Sequence, residues 1–383
     1  MFFELTEQQQ LIRDAARKLA QDEFRDSAAR WDENCEYPTA NHAKLAELGY
    51  LALSIDEQYG GSGLGLVDVY LAVEEIAKVD MTTALIVHDQ NVSPRIIASY
   101  GNEEQKQRYM PGFASGKMHC SICWTEPEAG SDATAITTSA VRDGDAYVIN
   151  GRKIFTTFGD RADYHLLYAR FGESRGARGI GILVVKNHSP GITVQTLPGK
   201  MGTRGANECE IFFDDVRVPV EDVIIEGDVN SSAGFVKPLK IYNGTRVGMG
   251  VIALGVAEGA FELARDYMKV RKQFGQTLSE MQGLQWMMAD MAIDIEAARL
   301  LCYQALSCFD DGHPDVFLSS VAKVQATEMA QRVTHQCQQM FGGYGYFGLI
   351  PLERMVRDVR MLTITGGTTQ VQKNSIARHI FQD

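Results

Sequence analysis

The stretch AYVINGRKIFTTF at residues 146–158 decides the fold of this chain. It is rich in β-branched and aromatic residues and has a period of two, which predicts a strand. Similar segments follow it, namely YHLLYARF, IGILVVK, GITVQTL and CEIFFDDVRVP. Turn sequences such as RDGD, KNHSPG and GTRGAN separate them. Short strands with this spacing predict an antiparallel β sandwich or barrel across residues 119–228.

The sequence on both sides of this β region is helical. In LTEQQQLIRDAARKLAQDEF the apolar residues recur near a helical period, and Thr6 is the predicted N-cap. Residues 229–383 hold three long helical segments, which predict an antiparallel bundle. The sequence therefore predicts an α+β chain with an N-terminal α-helical domain (1–118), a middle β domain (119–228) and a C-terminal helical bundle (229–383).

Composition excludes several classes of protein. The 383 residues, of which 45% are hydrophobic, suffice for two or three domains, and a net charge of -12 argues against a nucleic-acid partner. We expect no membrane span, because no run of 18 apolar residues occurs. The polar start is unlike a secretory signal, and the seven scattered cysteines fit reduced thiols in a cytoplasmic protein. Cys120 and Cys123 are more typical of buried apolar residues than of metal ligands, so no metal site is expected.

One glycine pattern imitates a dinucleotide-binding site. FGGYGYFG places Gly343, Gly345 and Gly348 in the spacing G-x-G-x-x-G. That fingerprint must follow a strand and open a helix. Here the preceding TEMAQRVTHQCQQM is helical in pattern, so we reject a Rossmann fold.

A set of separated motifs is more informative. They are WTEPEAGSD (124–132), RKQFGQ (271–276), QGLQWMMADM (282–291), QQMFGGYGY (338–346), RDVRM (357–361) and GGTTQVQ (366–372). In this order, and over essentially the whole chain, they resemble the acyl-CoA dehydrogenase family. The resemblance implies a helical domain, a β barrel or sandwich and a four-helix bundle. It also implies FAD bound non-covalently, an acyl-CoA substrate, a homotetramer, and an electron-transfer flavoprotein as electron acceptor.

The resemblance further implies a reaction and residues at the flavin. In the family, a carboxylate removes a proton from C2 of the thioester while hydride passes from C3 to flavin N5. Thr125 matches the hydroxyl beside the flavin ring, and Ser131 matches a contact to flavin or pantetheine. Phe155 and Thr157 match the aromatic and hydroxyl pair at the flavin. Arg246 matches a residue near the CoA arm.

Other matched positions contact more distant parts of FAD. Arg271 matches a residue that pairs with the pyrophosphate of a neighbouring subunit's FAD. Further contacts to that FAD are implied for Gln273, Phe274, Gln282, Gln339 and Gly343. Thr368 and Gln370 match residues near the adenosine part of FAD.

One position that carries function departs from the family. Most relatives have Glu-Gly-Thr where this chain has Gly366, Gly367 and Thr368, and that glutamate is the base. In a minority of relatives the base is a glutamate just before the arginine in the helix that opens the C-terminal bundle. Here the residue before that arginine is Thr245. A glycine in a helix costs about 1 kcal/mol relative to alanine, so two adjacent glycines need a reason. We interpret them as a loop shaped around a ligand. Both usual carboxylates are absent.

Asp89 is the candidate replacement. It lies in LIVHDQNVSP, which aligns with the family helix that lines the acyl pocket. Members that act on cyclohexane- or cyclohexene-carboxyl-CoA are similar here, since they lack the glutamate and use an aspartate on this helix. An apolar pocket would raise the pKa of this carboxyl and suit it to act as a base. The alternative is that Asp89 is a hydrogen-bonded polar group or a helix cap.

Two other functions remain open. The acyl-CoA desulfinases, which release sulfinate from 3-sulfinopropionyl-CoA, also lack the glutamate, but they rely on an arginine where this chain has Leu85. A flavin- or CoA-binding protein without catalysis is the third possibility. It is the least favoured, because the motifs that contact FAD look intact.

Overall fold

The chain folds in the order helical, β, helical, in a computed structural model that describes residues 4–382. The N-terminal helices are α1 (Glu7–Leu19), α2 (Ala28–Glu33), α3 (Thr39–Glu47), α4 (Leu66–Ala77), α5 (Met81–Val92), α6 (Pro94–Tyr100) and α7 (Glu103–Ala114). Thr6 caps α1 as predicted, since its Oγ1 accepts a hydrogen bond from the Gln9 amide at 3.2 Å. The Gln9 side chain accepts one from the Thr6 amide in return, at 3.1 Å.

The middle region is one eight-stranded sheet with the order β6-β7-β3-β2-β4-β5-β8, and β1 pairs with β4 beside this path. The strands are β1 (Cys120–Cys123), β2 (Ser139–Asp143), β3 (Ala146–Thr157), β4 (Tyr164–Phe171), β5 (Ile180–Lys186), β6 (Ile192–Thr196), β7 (Glu208–Pro219) and β8 (Val223–Ile225). Two separate clusters of buried apolar side chains pack against this sheet. The predicted β region is therefore confirmed as a sheet domain.

The expectation of purely antiparallel pairing is wrong for two strands. β1 and β2 both run parallel to β4, with Cys120 opposite Tyr164 and Ser139 opposite Arg170. The two strands follow one another along the same edge of β4. The chain between them, residues 124–138, loops out and returns in the same direction. That loop contains the motif WTEPEAGSD.

The C-terminal region combines three long helices with two short ones. They are α8 (Ala233–Val270), α9 (Gln282–Asp310), α10 (Val316–Met340), α11 (Leu352–Leu362) and α12 (Thr369–Ile380). A small hairpin of β9 (Lys272–Gln273) and β10 (Gln276–Thr277) joins α8 to α9. The glycine-rich FGGYGYFG follows α10 and not a strand, which confirms that it is not a Rossmann fingerprint.

The helical regions share one core. Side chains of α4 and α5, such as Tyr70 and Ile86, belong to the same buried cluster as Val251 and Ala257 of α8 and Ala326 of α10. Helix α8 is long and apolar enough to cross a membrane, but 78% of its most apolar window is buried inside the protein. It is the central helix of this shared core.

Candidate active site

Asp89 lies on a helix whose other residues are buried. Residues from Met81 to Val92 are buried except for Asp89, which is half-buried. The N-cap of α5 is Asp80, whose carboxylate accepts hydrogen bonds from the amides of Thr82 (3.1 Å) and Thr83 (3.2 Å). No residue between 4 and 382 donates a hydrogen bond to the Asp89 carboxylate. Asp89 is therefore neither a cap nor a hydrogen-bonded polar group within this chain.

Burial raises the pKa of the Asp89 carboxyl from its ordinary value to about 8. Repulsion by Glu208 adds to the rise, and the positive charge of Lys200 opposes it. A carboxyl with such a pKa is a stronger base than an exposed aspartate. It is also mostly protonated at pH 7.

Asp89 lies where the three regions of the chain meet. Burial chiefly raises the pKa of several groups around it, and the negative charge of Asp89 raises each further. These groups come from four different elements: Tyr37 before α3, Tyr70 on α4, Cys120 on β1 and Tyr242 on α8.

The Gly366–Gly367 turn connects α11 to α12, and both glycines are left-handed, with φ of +68° and +87°. Arg246 Nε donates to the Gly366 carbonyl at 3.0 Å, and Lys323 Nζ donates to the Gly367 carbonyl at 2.8 Å. Lys323 is fully buried, and burial lowers the pKa of its amine to about 8. Sequence reasoning missed Lys323, although a lysine on the apolar face of α10 was a signal that could have identified it.

A side-chain Cβ at Gly366 would fit without a clash. A Cβ built on that residue would meet Met249 Cγ at 3.6 Å and Arg246 Cα at 3.9 Å, which is ordinary contact. The amides of Gly366 and Gly367 donate no hydrogen bond to any residue of the described chain. The hydroxyl of Thr245, one residue before Arg246, is also buried without a partner. Unpaired donors of this kind are suited to bind a ligand carbonyl.

Aromatic residues lie next to the arginine that holds this turn. The Arg246 guanidinium lies 6.0 Å from the Tyr242 ring centroid, and that ring meets Trp124 edge-on at 5.0 Å. Trp124 stacks on Tyr168 at 4.3 Å with an interplanar angle of 6°. The rings of Tyr242, Trp124 and Tyr168 thus form one connected aromatic cluster beside Arg246.

A buried ion pair holds the two segments predicted to contact the flavin ring. Lys153 Nζ lies 2.7 Å from Glu126 Oε1 and donates to the Trp124 carbonyl at 3.0 Å. Burial alone would raise the pKa of the Glu126 carboxyl, but the positive charge of Lys153 holds this pKa at about 2. The Ile154 amide donates to the Thr125 carbonyl at 2.9 Å, so the predicted neighbours Thr125 and Phe155 lie close together. Sequence reasoning did not assign a role to Glu126 or Lys153.

Two of the predicted aromatic contacts are exposed and left-handed. Phe155 has φ of +56° and is 63% exposed, while Phe274 has φ of +53° and is 96% exposed. A bulky residue at positive φ costs about 1–3 kcal/mol and needs a reason. Aromatic side chains held in this way are available to cover a planar cofactor ring.

Six of the other predicted cofactor residues line two cavities. One of about 600 Å³ is lined by Arg271, Gln273, Gln339 and Gly343, beside the stacked rings of Tyr267 and Phe341. The other, of about 310 Å³, is lined by Thr368 and Gln370 together with Glu328, Gln331, Arg360 and Thr363.

Two predicted contacts lie elsewhere. Gln282 is exposed at the start of α9, and Ser131 is exposed in the loop between β1 and β2. One chain therefore does not gather all the predicted FAD contacts around a single cavity.

The residues present fit FAD. The larger cavity offers a guanidinium for a pyrophosphate, side-chain amides, and bare backbone at Gly343, where a Cβ would meet nothing within 4 Å. The middle domain offers the hydroxyls of Thr125 and Thr157 beside an exposed aromatic ring. Of the described residues, no group of three or more His, Cys, Asp or Glu side chains could hold a metal ion.

Family models match nearly the whole chain. Residues 6–117 match the acyl-CoA dehydrogenase N-terminal domain, 121–216 the middle domain and 233–381 the C-terminal domain. The short-chain specific acyl-CoA dehydrogenase of Clostridium acetobutylicum is 40% identical over 100% of both chains. The 3-sulfinopropanoyl-CoA desulfinase of Paraburkholderia xenovorans is 40% identical over 98% of this chain and 96% of its own. The solved structure of butyryl-CoA dehydrogenase from Megasphaera elsdenii superposes with a TM-score of 0.95 at 33% identity, over 100% of both chains.

Proposed function

Because the chain belongs to the acyl-CoA dehydrogenase family, a family of FAD-dependent oxidoreductases, we propose that it oxidises an acyl-CoA thioester with a cyclic acyl group. The substrate is cyclohexane- or cyclohex-1-ene-1-carboxyl-CoA, and Asp89 is the base. The single observation that carries this proposal is the half-buried Asp89 carboxylate. It has no hydrogen-bond partner within the described chain, and the Gly366–Gly367 turn carries no carboxylate.

The chain's own residues provide two functions for this reaction. Asp89 removes a proton from the ring, helped by its raised pKa. The free amides of the Gly366–Gly367 turn donate hydrogen bonds to the thioester oxygen, which becomes more negative as the proton leaves. Arg246 and Lys323 fix the turn by binding its carbonyls, so that its amides keep one orientation.

Holding FAD is the task of the remaining predicted residues. Thr125, Ser131, Phe155 and Thr157 would hold the flavin end, Thr368 and Gln370 the adenosine end, and Arg271 the pyrophosphate of a neighbouring copy. Bound FAD accepts hydride from the substrate. Further contacts are proposed for Gln273, Phe274, Gln282, Gln339 and Gly343.

Two features support a ring-shaped acyl group. Gly366 carries no side chain at the position where most relatives have a glutamate, which favours a bulkier acyl group. The stacked pair of Trp124 and Tyr168 gives a flat apolar surface. A saturated or partly unsaturated ring can pack on such a surface, and its proton can be taken from a carbon that faces Asp89.

Anaerobic reduction of the flavin tests this proposal. The purified protein is titrated separately with cyclohexanecarboxyl-CoA, cyclohex-1-ene-1-carboxyl-CoA, butyryl-CoA and octanoyl-CoA, while the visible flavin band is recorded. Bleaching by a cyclic thioester and not by the linear ones is the expected result. Bleaching by butyryl-CoA alone would contradict the cyclic substrate.

A second candidate function, desulfination of 3-sulfinopropionyl-CoA, is favoured by the 40% identity to a desulfinase. Against it, Leu85 stands where those enzymes use an arginine, and it is 2% exposed on α5. Sulfite release from 3-sulfinopropionyl-CoA without bleaching would establish this alternative. A protein that keeps yellow FAD but neither bleaches nor releases sulfite would be a binding protein without catalysis.

Assembly and partners are part of the same proposal. Trp286, Ile293 and Leu300 are exposed on α9 at intervals of seven residues, which suits a helix-to-helix interface between copies. We propose a homotetramer in which each FAD lies between two subunits, because predicted contacts lie in separate cavities. An electron-transfer flavoprotein is the proposed acceptor. All seven cysteines are free thiols, which suits a cytoplasmic protein.

A further inference from the structure

The motif RDVRM, residues 357–361, lies on α11, the helix that leads into the Gly366–Gly367 turn. Asp358 of this motif is a charged residue that is only 2% exposed. Its Oδ1 accepts a hydrogen bond from the backbone amide of Thr203 at 2.5 Å. Thr203 belongs to the loop between β6 and β7, so this hydrogen bond joins the sheet domain to the C-terminal helices.

The β6–β7 loop packs on α11 with its backbone against the backbone of the helix. A Cβ at Gly202 would lie 2.6 Å from the carbonyl carbon and oxygen of Arg357, so only glycine fits there. Thr203 is buried and has φ of +46°, which is an outlier for a β-branched residue. A strained backbone of this kind persists only where its surroundings fix it. Contact with α11 therefore holds the loop in one conformation.

Arg357 adds a second connection at the same place. Its guanidinium donates two hydrogen bonds to the carboxylate of Asp32 on α2, at 3.2 and 2.6 Å. It also donates to the Met201 carbonyl of the loop at 3.1 Å. The Arg204 amide donates to the same Asp32 carboxylate at 3.4 Å. Helices α2 and α11 and the β6–β7 loop thus meet around one guanidinium.

The loop ends at a predicted flavin contact. Lys200 Nζ donates to the Ala206 carbonyl at 2.7 Å and to Glu208 Oε1 at 3.0 Å, which joins the two ends of the loop. Glu208 opens β7 and lies directly opposite Thr157 of β3 in the sheet register. The Glu208 carboxylate accepts a hydrogen bond from Thr157 Oγ1 at 3.1 Å. A shift of the loop is therefore transmitted to Thr157.

The other side of the contact leads to the glycine turn. Helix α11 ends at Leu362, four residues before Gly366. The Thr369 amide donates to the Thr363 carbonyl at 3.0 Å, which closes the segment that contains both glycines. Because this segment starts where α11 ends, the position of α11 sets the position of the turn.

We propose that Asp358 and Gly202 are positioning residues that set the distance between the Thr157 end of the sheet and the Gly366–Gly367 turn. They do so by holding the β6–β7 loop on α11. This inference rests on the proposed function, in which Thr157 contacts flavin and the turn binds the thioester. Hydride transfer requires reacting atoms about 3–3.5 Å apart, so the two sides of the site must be held at a fixed separation.

Three variants of the FAD-loaded protein test the contact from both of its sides. Asp358→Ala removes the acceptor of the Thr203 amide. Gly202→Ala adds a methyl group where there is no room for one, and it removes no charge. Asp358→Asn keeps an acceptor oxygen for the Thr203 amide and is the conservative variant. Since Gly202→Ala keeps every polar group, it decides the question if Asp358→Ala does not fold.

Asp310→Ala is the matched control. Asp310 ends α9, and its carboxylate also accepts backbone amides from another element, namely those of Leu66 at 2.7 Å and Val67 at 2.9 Å on α4. Its loss removes the same kind of connection between two other elements. A general effect of lower stability would therefore appear in this variant as well.

Three measurements are made on each protein. Hydrogen exchange of peptides that span residues 200–207 reports whether the loop stays on α11. The visible circular dichroism of bound FAD reports the surroundings of the flavin without any substrate. Stopped-flow absorbance with the thioester that bleaches the flavin gives the limiting rate of reduction and the dissociation constant of the substrate.

The expected result is a common pattern for Asp358→Ala and Gly202→Ala. Their loop exchanges faster and the flavin circular dichroism changes. The limiting rate falls about 10–100-fold, as expected for a misplacement of about 1 Å, while the substrate dissociation constant changes less than about twofold. Asp358→Asn keeps the wild-type values. Asp310→Ala keeps the wild-type circular dichroism and limiting rate.

Three results would overturn the inference. One is a loop that exchanges faster while the circular dichroism and the limiting rate stay at wild-type values. Another is an equal loss of rate in Asp310→Ala, which would show a general effect of stability. The third is an Asp358→Asn variant that behaves like Asp358→Ala, because the hydrogen bond to Thr203 would then not explain the effect.

A failure of the proposed function looks different. Hydrogen exchange and circular dichroism need no substrate, so they test the inference whichever thioester is oxidised. If Asp89 is not the base, Asp89→Asn keeps its rate of flavin reduction, while Asp358→Ala and Gly202→Ala still show their common pattern. If the inference alone is wrong, a cyclic thioester still bleaches the flavin, and both variants reduce it at the wild-type rate.

Discussion

Arg246 donates its Nε hydrogen to the carbonyl of Gly366 at 3.0 Å, which ties α8 to the turn where this chain has glycine in place of the glutamate of most relatives. The same guanidinium donates to Asn243 Oδ1 at 2.5 Å, so it is held from both sides. The turn is thus an ordered element of the site. We propose that it presents its two unpaired amides to the substrate and that the proton-accepting group comes from another element.

Replacing Gly366 by glutamate tests this division of roles. Gly366→Glu should allow reduction of FAD by butyryl-CoA, because the new side chain supplies a base. It should slow reduction by the cyclic thioester at least about tenfold, because the same side chain takes the place of the ring. A non-glycine residue at φ of +68° costs about 1–2 kcal/mol. Gly366→Ala carries the same strain without a base and is the control. Equal butyryl-CoA activity in both variants would contradict the prediction.

Asp89→Asn should abolish flavin reduction by the cyclic thioester while FAD stays bound. Loss of a general base lowers the rate by about 10²–10⁴-fold. The visible flavin spectrum of the purified variant shows whether the cofactor is retained, and stopped-flow absorbance gives the rate. Reduction at the wild-type rate would remove Asp89 from the mechanism.

The pH dependence of flavin reduction should follow the raised pKa of Asp89. Since the pKa of this carboxyl is about 8, the base is mostly protonated at pH 6 and mostly ionised at pH 9. The rate should therefore rise with pH, reach half of its plateau near pH 8 and level off above about pH 9. A rate that is already constant between pH 6 and 9 would mean that another group with a lower pKa is the base.

Thermal stability should show the opposite trend in the same window. A carboxyl whose pKa is raised by folding contributes its full stability below its unfolded-state pKa. This contribution is lost as the pH rises through the folded-state pKa, which is about 8 for Asp89. Asp89→Asn has no such carboxyl, so its Tm relative to the wild type should increase between pH 5 and pH 9. Differential scanning fluorimetry with flavin emission measures both proteins. A constant difference in Tm would contradict the burial argument.

Arg271→Gln should weaken FAD binding by about 10–100-fold, because charge-assisted hydrogen bonds contribute about 1.5–3 kcal/mol. Lys272→Gln, at the next and also exposed position, is the matched control. Release of FAD on dilution is measured by fluorescence. Equal release from both variants would show that the 600 Å³ cavity does not hold the pyrophosphate.

The sequence predicted the order of the helical and β regions because each has a local signature. Thr6 at the start of α1 is such a case, since the capping box depends only on residues three apart. The parallel placement of β1 and β2 along β4 could not be predicted, because strand alternation does not encode which distant strand is the neighbour.

Within the site, the motif residues could be placed by resemblance, but their supports could not. Lys153 lies at an alternating position of β3, and its full burial follows only from the fold. The same is true of Glu208, whose partners lie in other elements. Lys323 had a local signal, since it stands on the apolar face of α10, but its contact with the Gly367 carbonyl follows only from the fold. A single charged residue in such a pattern is normally exposed, so only three-dimensional packing reveals the partners of these residues.

The Lys153–Glu126 pair gives the last prediction. Lys153→Met should destabilise the protein by about 3–5 kcal/mol, because it leaves Glu126 ionised in a buried position. The remaining donors to Glu126 are the backbone and hydroxyl groups of Thr137 and the amide of Thr138. Glu126→Gln combined with Lys153→Met should recover most of the loss, since no charge is then buried. Chemical denaturation followed by far-UV circular dichroism measures the free energy of unfolding of each variant. If Lys153→Met is as stable as the double variant, the ion pair contributes nothing to holding Thr125 and Phe155 together.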